Sequence, residues 1–352
     1  MTDIAWQLLQ SAMQRNGEKT ALWLLDENIS EQDIASLSAT ANLQAMTNRY
    51  DVYLALQKNG FKAELSDYDF SGFESGSFDA VYYRVSKEKA VVHHIINAAS
   101  RYLSNDGKLY LTGFKNEGIK TYSEKAATLL GCDAIKQRGA KSSLLAVLSK
   151  ASADANYLAD KNYTAVTTIT AAETLLVSKP GIFGWNKIDQ GSAFLIDYLV
   201  NNMDIVPKQP RRIIDLGCGY GYLSVMANKI FPVEYLATDN NITAVNVCKK
   251  NFAKHGIKGE VLLDNCAESI AAKADLVICN PPFHQGFEMS SDLTVRFLQA
   301  ARGLLNKDGL ALFVVNGFIP LEKKAAPMFA KIEVVASNKS FKVVAVGSDA
   351  SF

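Results

Sequence analysis

Residues 280–283, NPPF, follow the apolar run DLVIC and combine hydrogen-bond acceptors with an aromatic ring. An amino group on a purine is a poor nucleophile, so an enzyme that methylates it must accept hydrogen bonds from both N–H groups and aim the nitrogen lone pair. The amide oxygen of Asn280 and the carbonyl of Pro281 suit that task. Pro281 and Pro282 fix the backbone that presents these acceptors. Phe283 offers a flat face for a base taken out of its helix. The stretch therefore predicts a catalytic set for methylation of a planar nitrogen.

The same stretch also has a purely structural interpretation. Two prolines stop a central strand, because proline has no N–H group for further pairing. His284, the next residue, is a candidate substrate contact, although a histidine beside a proline turn is more commonly a surface residue. A cofactor site elsewhere in the chain would favour the catalytic interpretation.

A glycine-rich loop, DLGCGYG from Asp215 to Gly221, follows an apolar strand and precedes a helix, which is the setting of a nucleotide-binding loop. Gly217, Gly219 and Gly221 allow a sharp turn and a close approach of the backbone to a ligand. Cys218 lies between the first two glycines, and Asp215 can hold the turn or a ligand amine. The loop therefore predicts a binding site for a nucleotide-like cofactor.

Acidic residues follow the next two strands. Asp239 and Asn240 end the strand YLATDN, where a carboxylate can accept both hydroxyl groups of a ribose, and Asp264 with Asn265 ends the strand VLLDN. A dinucleotide would prefer GxGxxG and a phosphate at the helix end, but these glycines are spaced GxGxG and the loop has no basic residue. The form DxGxG followed by these acids resembles class I methyltransferases, in which three strand ends hold methionine, ribose and adenine. S-adenosyl-L-methionine is therefore the expected cofactor.

The loop KPGIFGWNKIDQGS, residues 179–192, precedes the first helix of this region. Its last four residues, which begin with Asp189 and end with Ser192, carry good N-terminal capping chemistry. The loop is either that cap alone, or it also closes over the methionine end of the cofactor, with Phe183 as an added contact. The sequence leaves both interpretations open.

From about residue 195 the chain alternates helical and strand-like segments, which predicts βαβ units on a parallel sheet. The first half repeats this order: Asp79 corresponds to Asp275, and YYR at 82–84 corresponds to NPP at 280–282. In place of the glycine loop, however, the first half has LLDENIS. An internal duplication explains the repeat, although α/β units in general share such a rhythm.

We therefore expect an α/β protein with two tandem Rossmann-like class I methyltransferase-type domains. The N-terminal one, residues 1–160, is degenerate, has no cofactor site, and serves stability or positions the substrate. The C-terminal one, residues 161–352, is the catalytic domain.

The charge of the chain limits how it could recognise nucleic acid. Lys and Arg total 37 against 36 Asp and Glu, which gives a formal net charge of +1. A uniform basic field is absent, so a nucleic-acid partner must be recognised by local patches, shape or a pocket. Candidate patches are Lys208 with Arg211 and Arg212, and Lys323 with Lys324, although basic residues of this kind are commonly just solvated surface.

The five cysteines lack CxxC spacing, which favours reduced thiols over disulfides or a metal site. The N-terminus has no basic start followed by an apolar segment, and no run approaches the roughly 20 apolar residues of a membrane span. We therefore expect a cytoplasmic protein with no metal and no membrane partner.

Several motifs together resemble the ribosomal RNA small subunit methyltransferase C family of guanine-N2 methyltransferases. They are PGIFGWNKIDQGS, IIDLGCGYGYLS, ATDNN, ICNPPFHQG, and NGFIP followed by FKVVAV. The resemblance implies methyl transfer from S-adenosyl-L-methionine to the exocyclic N2 of one guanine in 16S ribosomal RNA, within the assembled small ribosomal subunit. We further expect a monomer that does not act on DNA.

The resemblance also assigns roles to residues. The first of the three strand ends lines the methionine of the cofactor, the second lines the ribose, and the third lines the adenine. Residues 280–283 face the target guanine. The expected cofactor contacts are Phe183, Asp215, Gly217, Cys218, Gly219, Gly221, Asp239, Asn240, Asp264, Asn265 and Asn280.

Related activities stay open. Large-subunit guanine-N2 enzymes share NPPFHQ, and adenine-N6 and release-factor glutamine-N5 methyltransferases also use Asn-Pro-Pro followed by an aromatic residue, more commonly tyrosine. The loop PGIFGWNKIDQGS and the N-terminal half favour the small-subunit family. A non-catalytic RNA-binding protein with a relict fold is a further alternative, against which the intact glycine loop and NPPF argue.

Overall fold

The computed structural model describes residues 3–15, 20–151, 156–206, 210–282, 284–285, 288–289 and 291–347. The chain divides into two compact units, Met1–Ala165 (unit 1) and Val166–Phe352 (unit 2). Among the described residues, no helix is both long and apolar enough to cross a membrane. No group of His, Cys, Asp and Glu in this part of the chain is placed to hold a metal ion.

Unit 1 contains one sheet and helices on both of its faces. Its strands are β1 Ala21–Leu25, β2 Leu43–Thr47, β3 Lys62–Leu65, β4 Phe78–Arg84, β5 Leu103–Phe114, β6 Ile135–Arg138 and β7 Ser143–Ser149. Its helices are α1 Ile4–Arg15, α2 Glu31–Ala35, α3 Tyr50–Lys58, α4 Lys89–Tyr102 and α5 Ile119–Leu130.

Unit 2 begins with the hairpin β8 Thr167–Ala171 and β9 Thr174–Ser178. Its main sheet contains β10 Arg212–Leu216, β11 Glu234–Asp239, β12 Gly259–Leu263, β13 Ala274–Cys279, β16 Leu305–Asn316, β17 Lys331–Ser337 and β18 Phe341–Gly347. Two short strands, β14 His284–Gln285 and β15 Glu288–Met289, pair with each other. The helices are α6 Gln190–Asn201, α7 Tyr222–Ile230, α8 Ile242–His255, α9 Ser291–Leu304 and α10 Leu321–Ala325.

The two sheets have the same topology. Their strand orders are β3-β2-β1-β4-β5-β7-β6 and β12-β11-β10-β13-β16-β18-β17. In each, the first five strands are parallel, the sixth pairs antiparallel with the fifth, and the edge strand pairs antiparallel with the sixth. Both units are therefore Rossmann-like, and the predicted fold class is confirmed.

The central strands of unit 2 are mostly apolar because helices cover both faces of the sheet. Along β13, Leu276 and Ile278 pack with residues of α6, α7 and α8. The alternate residues Val277 and Cys279 pack with residues of α9 and α10 on the other face. Successive side chains of a strand point to opposite faces, so a single apolar run fills two cores.

Two aspartates show the equivalence of the sheets in detail. Asp79 accepts hydrogen bonds from Thr20 N at 3.0 Å and from Ser104 Oγ at 3.2 Å. Asp275 in unit 2 likewise accepts from Arg211 N, just before β10, at 2.8 Å and from Asn306 Nδ2, at the start of β16, at 2.7 Å. The two carboxylates thus join the same three strands in each copy. This shared contact supports the duplication that their sequence context indicates.

A buried ion-pair network closes the carboxyl end of β4 in unit 1. Arg84 is only 2% exposed, and its Nε donates to Asp3 Oδ2 at 2.8 Å while Nη2 donates to Glu117 Oε1 at 2.7 Å. These carboxylates raise the pKa of Arg84 despite its burial. Asp3 also accepts from Ala5 N at the start of α1. The guanidinium therefore links β4, α1 and the short 3₁₀ turn Lys115–Glu117.

Replacing Arg84 should destabilise unit 1 strongly. Arg84→Ala leaves two carboxylates without their cation, and removing one partner of a buried pair costs about 3–5 kcal/mol of unfolding free energy. Urea unfolding, followed by circular dichroism, measures this loss. Lys58→Ala is the control, because the Lys58–Glu31 pair has side chains 74% and 59% exposed, and it should change stability little. Equal effects of the two variants would contradict the structural role of the network.

Candidate active site

The glycine loop after β10 has the backbone conformation that its sequence predicts. Gly217, Gly219 and Gly221 have φ angles of 79°, 54° and 89°, in the left-handed region that glycine favours. A Cβ on Gly221 would lie 2.7 Å from Sγ of Cys248, and one on Gly217 would lie 3.1 Å from the Phe297 ring. Side chains at these positions would displace their neighbours. The loop shape therefore depends on the glycines.

Hydrogen bonds tie this loop to the neighbouring strand. The N–H groups of Gly217 and Cys218 both donate to the carbonyl of Thr238 at 2.9 Å. Gly219 N donates to Asp239 Oδ2 at 2.9 Å. Oδ1 of Asp239 accepts a hydrogen bond from the backbone N–H of Asn241 at 2.8 Å. Asn240, which lies between these two residues, is half-buried. Each carboxylate oxygen retains acceptor capacity, so Asp239 fixes the loop and can still bind a ligand.

Asp215 is completely buried at the end of β10 and holds the start of α7. Its Oδ2 accepts from Ser224 N at 3.0 Å and from Ser224 Oγ at 2.6 Å. Its Oδ1 is buried and accepts no hydrogen bond from any atom in the described parts of the chain. Loss of solvation raises the pKa of Asp215 to about 7, and the nearby Asp239 adds to the rise, while the bonds from Ser224 oppose it. A cation beside Oδ1 would stabilise the ionised form.

The third strand end is equally well defined. Asp264 is buried, its N–H donates to the carbonyl of Asp239 at 3.0 Å, and its Oδ2 accepts from both N and Oγ of Ser269. Its Oδ1 makes no hydrogen bond within the described residues. Asn265 follows, half-buried. Because β10, β11 and β12 are neighbours in the sheet, Asp215, Asp239 and Asp264 lie along one edge.

Asn280, which directly follows β13, is held by two hydrogen bonds. Its Nδ2 donates to Asp189 Oδ2 and to Ser192 Oγ, both at 2.8 Å. A carboxylate can only accept, so the amide nitrogen must face Asp189. Both amide hydrogens are then used. Oδ1 is the atom of Asn280 that can accept a hydrogen bond from a ligand.

Asp189 and Ser192 belong to the start of α6. Asp189 is the N-cap of this helix, and its Oδ2 accepts from Ser192 N at 2.8 Å as well as from Asn280. Gly191 lies between them because a Cβ there would come 3.1 Å from a ring carbon of Phe341. We call Asp189, Ser192 and Asn280 the clasp. The sequence predicted a cap or a lid at Asp189 and Ser192, but it gave no sign of their contact with Asn280.

The remaining predicted residues are placed as follows. The loop before α6 runs beside the glycine loop, because a Cβ on Gly219 would meet Ile182 at 3.9 Å. Phe183 is 73% exposed on this loop, and its contact with the cofactor stays a prediction. Pro281 is buried, and Pro282 is exposed. Phe283 lies outside the described residues, and His284 begins β14.

Unit 1 contains a counterpart of the clasp. Asp3 precedes α1 and contacts Arg84 at the end of the fourth strand, just as Asp189 precedes α6 and contacts Asn280. The sequence comparison had paired YYR with NPP and so made Arg84 equivalent to Pro282. The hydrogen bonds instead make Arg84 the structural equivalent of Asn280. A guanidinium has no acceptor atom. Unit 1 therefore lacks the acceptor that unit 2 presents at this position.

The strand order, the glycine loop and the acids at the strand ends define a class I methyltransferase-type fold. Residues 173–345 match the family model "Methyltransferase small domain". The chain is 27% identical, over 76% of its length and 77% of the relative's, to ribosomal RNA small subunit methyltransferase C of Shewanella loihica. It is 32% identical to the protein of that name from Erwinia tasmaniensis, over 49% of this chain and 48% of the relative.

A solved structure shares the whole architecture. It is entitled "T. Thermophilus 16S rRNA N2 G1207 methyltransferase in complex with AdoMet and Guanosine", and it matches with a TM-score of 0.83 at 22% identity, covering 99% of this chain and 92% of that one. The match extends the shared fold to both units. The curated relatives confirm the resemblance to ribosomal RNA small subunit methyltransferase C that the motifs indicated.

The raised pKa of Asp215 predicts a pH-dependent cost of folding. The carboxyl has an ordinary value of 3.8 when unfolded and about 7 when folded. Ionisation in the unfolded chain therefore destabilises the ligand-free protein progressively between about pH 4 and 7, by up to about 4 kcal/mol, and no further above that. Asp215→Asn removes the titration. The difference in unfolding free energy between variant and wild type should grow in favour of the variant over this range.

Urea titrations at half-unit pH steps measure this difference. The buried Asp26 has a similarly raised pKa, but it is present in both proteins and cancels. Any fixed cost of the asparagine shifts one curve by a constant amount. Parallel curves from pH 4 to 7 would show that Asp215 is ionised in the folded protein throughout.

Proposed function

We propose that this chain transfers a methyl group from S-adenosyl-L-methionine to the exocyclic N2 of a guanine in 16S ribosomal RNA, within the assembled small subunit. The observation that carries the proposal is the orientation of the Asn280 amide, whose Nδ2 is bonded to Asp189 and Ser192, so that Oδ1 is the atom that can accept an amino N–H. The relatives are named ribosomal RNA small subunit methyltransferase C, which supports a small-subunit RNA substrate. The solved structure with the same fold names guanine 1207, so a guanine of that type is our expected target.

The residues present fit the proposed cofactor. Glycines with positive φ leave the backbone of the loop open to a ligand. The unbonded buried oxygens of Asp215 and Asp264 suit a cationic ligand with a polar base better than an anionic one. Asp239 would hold the ribose, and Asp264 with Asn265 would hold the adenine. When bound, the cofactor supplies an electrophilic methyl group on a sulfonium.

The chain's own contribution is to bind and aim the nucleophile. Asn280 Oδ1 and the carbonyl of Pro281 accept hydrogen bonds from the two N–H groups of the guanine amino group. This favours a tetrahedral nitrogen with its lone pair directed at the methyl group. The clasp fixes the amide before the substrate arrives. No early general base is required, because the nitrogen loses its proton after attack. Most of the rate enhancement then comes from positioning the two reactants.

The two units are proposed to have different roles. Residues 161–352 carry the catalytic site, and residues 1–160 contribute stability or position the RNA. Arg84 in place of Asn280, and Asp26-Glu27-Asn28 in place of the glycine loop, support this division. We further propose that the enzyme acts as a monomer in the cytoplasm.

Labelling should identify the substrate. Protein incubated with tritiated S-adenosyl-L-methionine should transfer label to small ribosomal subunits, but not to large subunits, DNA or release factor, and digestion should release N2-methylguanosine. Asn280→Ala should lower the rate about 10²–10³-fold, as expected for loss of a positioned hydrogen-bonding group, and should still bind cofactor. Asn201→Ala, an exposed asparagine at the far end of α6, is the matched control. Label on adenine or on release factor would refute the proposal.

The clasp should affect turnover more than cofactor binding. Asp189→Ala removes the acceptor for Asn280, so kcat should fall about a hundredfold through misplacement of the amide, while the cofactor Kd stays within a few-fold. The lost cap should also cost about 1 kcal/mol of stability. Asp189→Asn keeps an oxygen for both N–H donors and should restore most of kcat. If Asp189→Asn and Asp189→Ala have the same kcat, the clasp does not orient Asn280.

A further inference from the structure

Phe318 is an exposed aromatic residue of unit 2 that neither the fold nor the proposed chemistry explains. It follows β16 and is 74% exposed, although a phenylalanine loses favourable burial when it faces water. Its neighbours are the start of α10 and the turn between β17 and β18, because Gly317 N donates to the carbonyl of Ser340 at 2.8 Å. We call residues 316–325 and 337–342 the β16 rim.

The β16 rim lies beside Asn280 on the side away from the glycine loop. β13 and β16 are parallel neighbours, with Cys279 opposite Phe313, so both strands leave the sheet at the same edge. β10 and its glycine loop lie on the opposite side of β13. A nucleotide bound at Asn280 would therefore have the cofactor loop on one side and the rim on the other.

The rim is basic. It contains four lysines, Lys323, Lys324, Lys339 and Lys342, against the single acid Glu322. Glu322 is paired with Lys342 at 2.7 Å, so the rim has a formal charge of +3 in a chain of net charge +1. Such a concentration of positive charge beside an exposed aromatic ring matches the phosphates and bases of a single RNA strand.

The other basic patch considered from the sequence is placed differently. Arg211 and Arg212 lie at the beginning of β10, which is the sheet edge opposite Asn280. Arg212 is paired with Glu234 at 3.0 Å, and Arg211 lies beside Asp275. Lys208 lies outside the described residues. The position of these arginines favours a structural role at the start of the sheet.

We propose that the β16 rim binds the RNA strand next to the target nucleotide, with the Phe318 ring stacked on a flanking base and the lysines contacting phosphates. This proposal rests on the proposed function, because it requires an RNA substrate at Asn280. Phe318 is a substrate-binding residue and takes no part in methyl transfer. Its loss should therefore raise KM for the small subunit and leave the cofactor Kd unchanged.

Steady-state methylation of small subunits tests the stacking contact. Phe318→Ala should lower kcat/KM about tenfold, mostly through KM, because a base–aromatic stack is lost. Phe318→Tyr keeps the ring and should retain nearly full activity. Met203→Ala is the control. Met203 is 55% exposed and follows the end of α6, a helix that separates it from Asp189 by about 18 Å. Equal kcat/KM for Phe318→Ala and wild type would overturn the proposal, whereas an inactive wild type would instead refute the proposed function.

A second pair of measurements identifies the partner. The double variant Lys323→Ala, Lys339→Ala should reduce the slope of log(kcat/KM) against log salt concentration by about 1 to 2, as expected for two lost phosphate contacts. Replacing Phe318 with the photoreactive residue p-benzoylphenylalanine should crosslink the chain to 16S ribosomal RNA in small subunits. Crosslinks to a ribosomal protein alone, or an unchanged salt slope, would contradict RNA binding at the rim.

Discussion

The hydrogen bonds from the Asn280 amide to Asp189 and Ser192 are the constraint on which the proposed chemistry depends. An amide can present either a donor or an acceptor to a ligand, and only the acceptor suits an amino nucleophile. The carboxylate of Asp189 settles the choice because it cannot donate. The sheet makes the contact possible, since the helix before β10 and the end of β13 meet at one edge. Asp189, the N-cap of α6, therefore also determines which atom of Asn280 the proposed active site presents to a ligand.

The same constraint would give the two copies of the fold the different functions proposed for them. In unit 1 the cap carboxylate of Asp3 meets Arg84, whose guanidinium has only donors and is held by Glu117 as well. Both units therefore have a carboxylate before the first helix, but its partner is Asn280 in unit 2 and Arg84 in unit 1. The polar contact of unit 2 is thus replaced by a buried ion pair in unit 1. The fold tolerates the exchange because the strand order and the Asp79 contacts are unaffected. Loss of the glycine loop accompanies the change.

Local patterns in the sequence were sufficient to predict the sheets, the glycine loop and the acids at the strand ends, because each pattern lies within one βαβ unit. The clasp was not predicted, since Asp189 and Asn280 are 91 residues apart and either residue has an ordinary local explanation. The sequence comparison also paired Arg84 with Pro282, whereas β4 continues through Arg84 and β13 ends at Cys279, just before Asn280. The additional bond of Asp239 to Gly219 depends on the folded turn in the same way.

A crystal structure of the protein with S-adenosylhomocysteine and guanosine would show whether Asn280 presents its oxygen to the substrate. We expect guanine N2 to lie about 3 Å from Asn280 Oδ1, while Nδ2 of the same residue remains bonded to Asp189 and Ser192. We also expect no nucleoside at the carboxyl edge of the sheet in unit 1. Guanine bound elsewhere, or an Asn280 amide turned so that its nitrogen faces the base, would refute the proposed role of Asn280.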